Sequence, residues 1–198
     1  MIIRQPESLA DELGHGVLQL ASTVRMQNDL TKSAQLLVET IPKQFKLTAN
    51  VSLLDEQSAV NIAQSAPSTK FFTPHQYVGR HPPGHAISSG KVLLVFAPHR
   101  VQDAVLEAEL EEFTSRTTAD PSELAQELTF VREQGWAASN NEWNADMTAV
   151  AVSLQGANGA IIAAVTITGC THGRPPESFA KQSRALHTAV RRYGQLLE

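Results

Sequence analysis

The stretch Gly79-Arg80-His81-Pro82-Pro83-Gly84-His85-Ala86-Ile87-Ser88-Ser89-Gly90-Lys91-Val92-Leu93-Leu94 reads as a stiff loop that turns into a helix. Pro82 and Pro83 fix φ and lack an N–H, so the approach is extended. Gly84 and Gly90 permit close backbone contacts. Ser88 and Ser89 suit the cap of a helix through Val92-Leu93-Leu94-Val95-Phe96. Small residues at a helix start leave its N–H groups accessible, and the helix dipole favours an anion there. An ordinary capped helix is the plainer reading of the same residues, and on this stretch alone it is the preferred one.

Three sharper patterns overlap this stretch. Gly84 to Gly90-Lys91 imitates a phosphate-binding loop, but that loop needs four intervening residues and a hydroxyl after the lysine. Here five residues intervene and Val92 follows Lys91, so the cradle fails twice. Ser88 and Lys91 fit S-x-x-K, a nucleophile signature, without the S-D-N or K-T-G that accompanies it. His81 and His85 have the i, i+4 spacing of metal ligands, but Pro82 and Pro83 argue against the helix that would bring them together.

Outward from this stretch, composition narrows the field. A chain of 198 residues with 42% hydrophobic and 18% charged residues can build one core of ordinary size. Its net charge of −4 argues against a surface spread for nucleic acid. Val92 to Ala97 is too short to span a bilayer, and the N-terminus has no apolar signal core, so no membrane partner is expected. The single cysteine, Cys170, allows no internal disulfide and fits a reducing, cytoplasmic setting. It follows Gly169 in an expected loop, where an incidental thiol is the simpler reading.

The remaining elements follow from periodicity and turn chemistry. Ser8 and Asp11 cap an expected first helix, with Leu9, Leu13, Val17, Leu20 and Val24 on one stripe. A second helix follows Asp29, with Leu30, Ala34, Leu37 and Ile41 inward and Pro42 as its end. Asn50 to Leu54 and Ala59 to Ala63 flank a turn at Asp55 to Ser58, which predicts a hairpin. Phe71 to Val78 predicts an irregular strand broken at Pro74. Val101, Ala104, Val105 and Leu106 suggest another helix. Asp120-Pro121-Ser122-Glu123 predicts a helix start, and Gly135 its stop after Leu124, Leu128 and Val131. Trp136-Ala137-Ala138 begins a short strand. Pro175-Pro176 opens a last helix, with Phe179, Leu186, Val190, Tyr193 and Leu197 inward and Arg184, Arg191 and Arg192 outward.

Two long strands, Met147 to Leu154 and Ala160 to Thr168, form a second hairpin around Gln155 to Gly159. Alternation gives each two faces. Val150, Val152, Leu154, Val165 and Ile167 form a bulky core face. Met147, Ala149, Ala151, Ser153, Ala164, Thr166 and Thr168 form a small, hydroxyl-bearing face. That face suits either a closely packed helix or the floor of a pocket.

Taken in order, these pieces resemble the effector-binding domain of IclR-type bacterial transcriptional regulators. The matching residues are Val78-Gly79 with Pro83 to Leu94, then Leu124, Glu127-Leu128, Val131-Arg132, Gly135-Trp136-Ala137 and Glu142, then Ala149 to Val152 and Ala163 to Gly169. The resemblance implies an α+β, GAF-like fold, an antiparallel β-sheet with helices packed on both sides. It implies residues 1–28 as a linker and dimerisation helix and 29–198 as the effector-binding domain. It further implies a pocket for a small carboxylate or aromatic metabolite, a homodimer or homotetramer, and no enzymatic activity, cofactor or metal. The pocket positions carried over are Ser88, Ser89, Ser139, Asn140, Met147, Ala149, Thr166 and Thr168. Contact with DNA is expected only through a winged helix-turn-helix that is absent from these residues. This chain departs from the family where acidic residues are common, at Ser139, Asn140 and Asn141. It also departs at Ala149, where cysteine is common, and at Asp146, where glycine is. Ligand identity therefore does not carry over. Two other classes of function remain: acyl transfer by Ser88 with Lys91, and a structural oligomerisation module.

Overall fold

A computed structural model describes residues 2–4, 11–13, 30–41, 44–67, 78–156 and 158–194. Strands β1 (Ile2–Arg4) and β2 (Asp11–Leu13) pair antiparallel with each other. The main sheet has five strands: β3 (Thr48–Asp55), β4 (Ser58–Ser65), β5 (Trp136–Asn140), β6 (Met147–Gln155) and β7 (Ile161–Cys170). Its order is β4-β3-β7-β6-β5, and every neighbouring pair is antiparallel. Helix α1 covers residues 30–41, and residues 44–45 are also helical. It is followed by α2 (Ser88–Phe96), α3 (His99–Glu107), α4 (Pro121–Gln134) and α5 (Phe179–Gly194). This is the expected α+β architecture, with both hairpins and the paired registers in place.

The two sheet faces differ because their side chains differ. Val150, Val152, Leu154, Val165 and Ile167 pack with Leu37, Val38 and Ile41 of α1 and Phe179, Leu186 and Val190 of α5. Burial of each such side chain contributes about 1.5–3 kcal/mol before entropy is counted. On the opposite face the small side chains of Ala137, Ala151 and Ala164 let α2 and α4 come down on the sheet. There Val92, Leu93, Leu94, Val95, Leu124, Leu128 and Val131 complete a second core. The small face thus fulfils both readings, since a helix covers its centre and a cavity opens at one end.

Local chemistry explains the boundaries. Asp120 caps α4 by accepting from the N–H groups of Ser122 and Glu123, and Pro121 follows as its first residue. Gly135 ends α4 at φ 78°, a left-handed conformation that glycine adopts without strain. Arg184, Arg191 and Arg192 of α5 are exposed, as the sequence predicts. The guanidinium of Arg174, just before α5, is buried and donates to Thr148 O and Gln182 Oε1. Burial lowers its pKa to about 10.

Several sequence expectations change. Asp11–Leu13 is a strand and not part of the helix expected from Ser8. Gly14 and Gly16 stand inside that expected helix, and each disfavours it by about 1 kcal/mol. The stripe positions Leu9, Val17, Leu20 and Val24 lie outside the described residues, as do Pro42, Phe71 to Tyr77 and Leu197. Val78 is exposed in a turn. Cys170 is the last residue of β7, exposed, and not in a loop. Ser88 and Ser89 are not caps: the capping residue of α2 is Ile87, and both serines lie in the first helical turn.

Candidate functional site

The organising loop is fastened to the β3–β4 hairpin by backbone bonds. Gly79 N donates to Asn61 O at 2.9 Å, Ala59 N to Pro82 O at 3.1 Å and Gly84 N to Gln57 O at 2.9 Å. Pro83 is extended, its ring holding φ at −63°, with ψ at 137°. The chain then makes a 3-10 turn over Gly84–Ala86 and enters α2. Gly90 rests directly on this turn. A Cβ built on it would lie 2.3 Å from Gly84 Cα, so only glycine permits the contact.

Between this helix start and the sheet lies a cavity. It gives the centres of water-sized molecules about 70 Å³, within about 550 Å³ of non-atom space that includes its mouth. One water needs roughly 10–15 Å³ by that measure, so a small organic molecule fits. Asn50, Ala149, Thr166 and Thr168 contribute from the central strands β3, β6 and β7, and Asn61 and Ser139 from the edge strands β4 and β5. Pro82, Ile87, Ser88 and Ser89 contribute from the loop and α2. Met147 and Thr148 contribute from the start of β6, with Trp143 and Asn144 before it.

Of the eight positions expected from sequence, Ser88, Ser89, Ser139, Met147, Ala149, Thr166 and Thr168 line this cavity. Asn140 does not line it. It follows Ser139 on the same strand, so alternation turns it away, and its Oδ1 accepts from Thr148 Oγ1 at 3.1 Å. Asn50, Asn61, Trp143 and Asn144 were not foreseen. Thr48, Asn50 and Ser52 repeat on β3 the polar alternation seen on β7, and that was the legible signal for Asn50. Trp143 and Asn144 lie between strands, where no period points.

The polarity of the cavity is specific. Among the described residues, its lining contains no Lys, Arg, His, Asp or Glu. No side chain caps α2, so its first N–H groups have neither an intrahelical acceptor nor a capping oxygen. Among the described residues, Asn50 Oδ1, Ser88 Oγ and Thr166 Oγ1 are buried without a hydrogen-bond partner, and all three residues line the cavity. Buried polar atoms are costly when unpaired, so three orphans at one cavity mark a place for a polar ligand or ordered water.

One turn into α2, Lys91 is fully buried. Its Nζ contacts Glu127 Oε1 at 2.7 Å and Glu142 Oε2 at 2.5 Å. Glu142 Oε1 also accepts from Asn140 N at 3.1 Å. Thr114 Oγ1 donates to Asn141 O, and Thr117 Oγ1 to Glu142 O, each at 2.5 Å. This network pins the β5–β6 loop, which carries Trp143 and Asn144, to α2 and α4. The loop ends at Asp146 with φ 63°, a left-handed conformation that aspartate tolerates better than most residues.

Burial pushes the Glu142 carboxyl above its ordinary value, with Lys91 opposing. The folded chain therefore keeps that proton to higher pH than the unfolded chain. The stability linked to it is present below the ordinary value of 4.5 and is lost as pH rises through the folded value. Glu142→Gln cannot ionise. Its urea midpoint, followed through the mildly acidic range, should lose this downward slope. An unchanged slope would assign the effect to another group.

The remaining motifs are structural in their geometry. His85 Nε2 lies 3.0 Å from Glu111 O and its ring faces Phe113. His81 is on the surface beside Asp55, at 3.3 Å. Among the described residues Ser88 Oγ has no partner, and Lys91 is engaged by two carboxylates and not by Ser88.

An antiparallel sheet with helices on both faces and a cavity beneath an uncapped helix start defines an α+β domain able to hold a small molecule. Residues 22–193 match the family described as bacterial transcriptional regulator IclR C-terminal, and the chain belongs to that family. The Pca operon regulatory protein of Acinetobacter baylyi is 30% identical over 72% of this chain and 52% of its own length. A transcriptional regulator from Rhodococcus sp. RHA1 superimposes with TM-score 0.80 at 26% identity, covering 94% of this chain and 77% of that one. The inducer-binding domain of PobR from Acinetobacter, a double mutant in complex with 3-hydroxybenzoic acid, superimposes with TM-score 0.72 at 28% identity. It covers 84% of this chain and 95% of that one. The chain spans 52% to 65% of the length of the first curated relatives it matches. These relatives are named as regulators of transcription.

Proposed function

We propose that the cavity beneath α2 is the effector site and that it takes a small organic acid, with an aromatic carboxylate the favoured class. The observation that carries this reading is the set of three buried, unpartnered polar atoms beside an uncapped helix start. The carboxylate accepts from the first N–H groups of α2 and from Ser88, and Thr166 and Thr168 hold the ligand from the sheet. Ile87, Met147, Trp143 and Pro82 supply apolar walls. The PobR domain, which holds 3-hydroxybenzoic acid in its structure, supports the aromatic class. A metabolite thermal-shift panel tests the reading. An acid supplied at one hundred times its Kd stabilises by about 2.7 kcal/mol. Thr166→Val keeps the shape and removes one hydroxyl. It should weaken binding by about 1 kcal/mol without unfolding the domain. No shift from any carboxylate or aromatic acid would favour a purely structural role, and unchanged binding by Thr166→Val would move the site elsewhere.

The same reading extends to partners. We place the protein in the cytoplasm as a homodimer or homotetramer, with Leu36 of α1 and Phe130 of α4 among its exposed apolar side chains. DNA contact belongs to a separate winged helix-turn-helix. The 198-residue chain, at net charge −4, should show no sequence-specific retention of DNA. Gel retardation and light scattering check both statements. Specific retention, or a stable 21.5 kDa monomer at high concentration, would contradict them.

A further inference from the structure

We propose that Asn50 selects the ligand by its far end: the site prefers organic acids that carry a hydroxyl or N–H donor remote from the carboxylate. The inference rests on the cavity being the effector site. Asn50 sits on β3 directly opposite Thr166 of β7 and is 4% exposed. Its Nδ2 makes a long contact to Thr168 Oγ1 at 3.5 Å, and in this orientation Oδ1 is the amide atom left over. Oδ1 has no partner among the described residues. The other amide from the hairpin, Asn61, is committed through its Oδ1, which accepts from Ser52 Oγ at 2.6 Å.

The distinction between donors and acceptors gives this its content. Ser88 and Thr166 carry hydroxyls, which can donate or accept. An amide oxygen can only accept. The start of α2 offers N–H groups, which can only donate. The cavity therefore has a donating pole on the helix and an accepting atom on the sheet floor. A plain carboxylate satisfies the first and leaves the second facing an apolar group or a trapped water. A ligand with a hydroxyl at its other end satisfies both. A site built around a ligand hydroxyl rejects the analogue lacking it because its own buried group is then unpaired.

Isothermal titration of the 198-residue chain with rigid probes tests this. The probes are benzoate, 3- and 4-hydroxybenzoate, and the two matching methoxybenzoates, whose ether oxygen accepts but does not donate. At least one hydroxybenzoate should bind about tenfold tighter than benzoate and than its own methyl ether, the ratio expected for one buried hydrogen bond. Asn50→Leu should abolish the preference, so that this hydroxybenzoate and benzoate bind alike. A methoxybenzoate matching its hydroxybenzoate would overturn the donor requirement. A preference that survives Asn50→Leu would assign it to another residue. Equal binding of all five acids would overturn the inference and leave the acid-sensing function standing. No binding by any of them would overturn both. The probe series on the unaltered chain decides the matter even if Asn50→Leu fails to fold.

Discussion

Lys91→Met is expected to cost about 3–5 kcal/mol of stability, the usual result of removing one partner from a buried ion pair. The lysine side chain is 0% exposed, and both of its carboxylate partners come from other elements, Glu127 from α4 and Glu142 from the β5–β6 loop. Methionine fills nearly the same volume, so packing is preserved and the loss reports the electrostatics. The two carboxylates do not lose equally. Glu127 is 31% exposed and water screens its charge. Glu142 is 11% exposed and is left as an uncompensated charge. It should respond by taking a proton, so the deficit shrinks at lower pH. Lys91→Met combined with Glu142→Gln removes that charge and should recover part of the loss, a coupling that additivity does not predict. Urea denaturation with an unchanged m-value measures all three variants. A loss below about 1 kcal/mol for Lys91→Met, or no recovery in the double variant, would mean that solvent reaches this network.

The position of Lys91 shows where sequence reading stops. Its neighbours Val92 to Val95 announce a buried helix, and a lysine among them looks like an exposed face of that helix. Only the fold brings Glu127 and Glu142 to it from positions 36 and 51 residues away in sequence. Local chemistry was legible where it is local. The Asp120-Pro121 start and Gly135 stop of α4 are written within a few residues of where they act. The division of β6 and β7 into a bulky and a small face follows from a period of two. Ser88 and Ser89 were assigned correctly to the loop–helix start but in the wrong role. A capping serine uses its own oxygen on the helix N–H groups, whereas here Ile87 takes that place and the N–H groups stay open. Resemblance by segment takes no account of which face each residue of a strand presents, and Asn140 lies outside the cavity that Ser139 lines. Trp143 and Asn144 reach the cavity from a loop whose path depends on the Lys91 network, and no pattern in the chain encodes that path.

Gly90→Ala should destabilise the domain by about 1–3 kcal/mol, and the sign is the informative part. In an ordinary helix interior, replacing glycine by alanine gains about 1 kcal/mol, because glycine has more backbone freedom to lose. Here the new Cβ would lie 2.3 Å from both Cα and O of Gly84 and 2.7 Å from its carbonyl carbon. These are backbone atoms, so no side chain can swing aside, and overpacking of this kind costs about 1–3 kcal/mol. Relief requires α2 to separate from the Gly84–Ala86 turn. That turn is itself pinned, because Gly84 N donates to Gln57 O and a Cβ on Gly84 would lie 2.7 Å from the same oxygen. The strain therefore passes into the helix start, where Ile87, Ser88 and Ser89 line the cavity. Ligand affinity should fall along with stability, although Gly90 does not itself line the cavity. Gly84→Ala should also destabilise. The two substitutions together should differ from the sum of the single losses, since both act at one contact. Thermal denaturation with and without a bound acid separates the two effects. A Gly90→Ala chain more stable than the original would show that α2 does not press on the loop. A chain that loses stability but keeps full affinity would separate this contact from the geometry of the site.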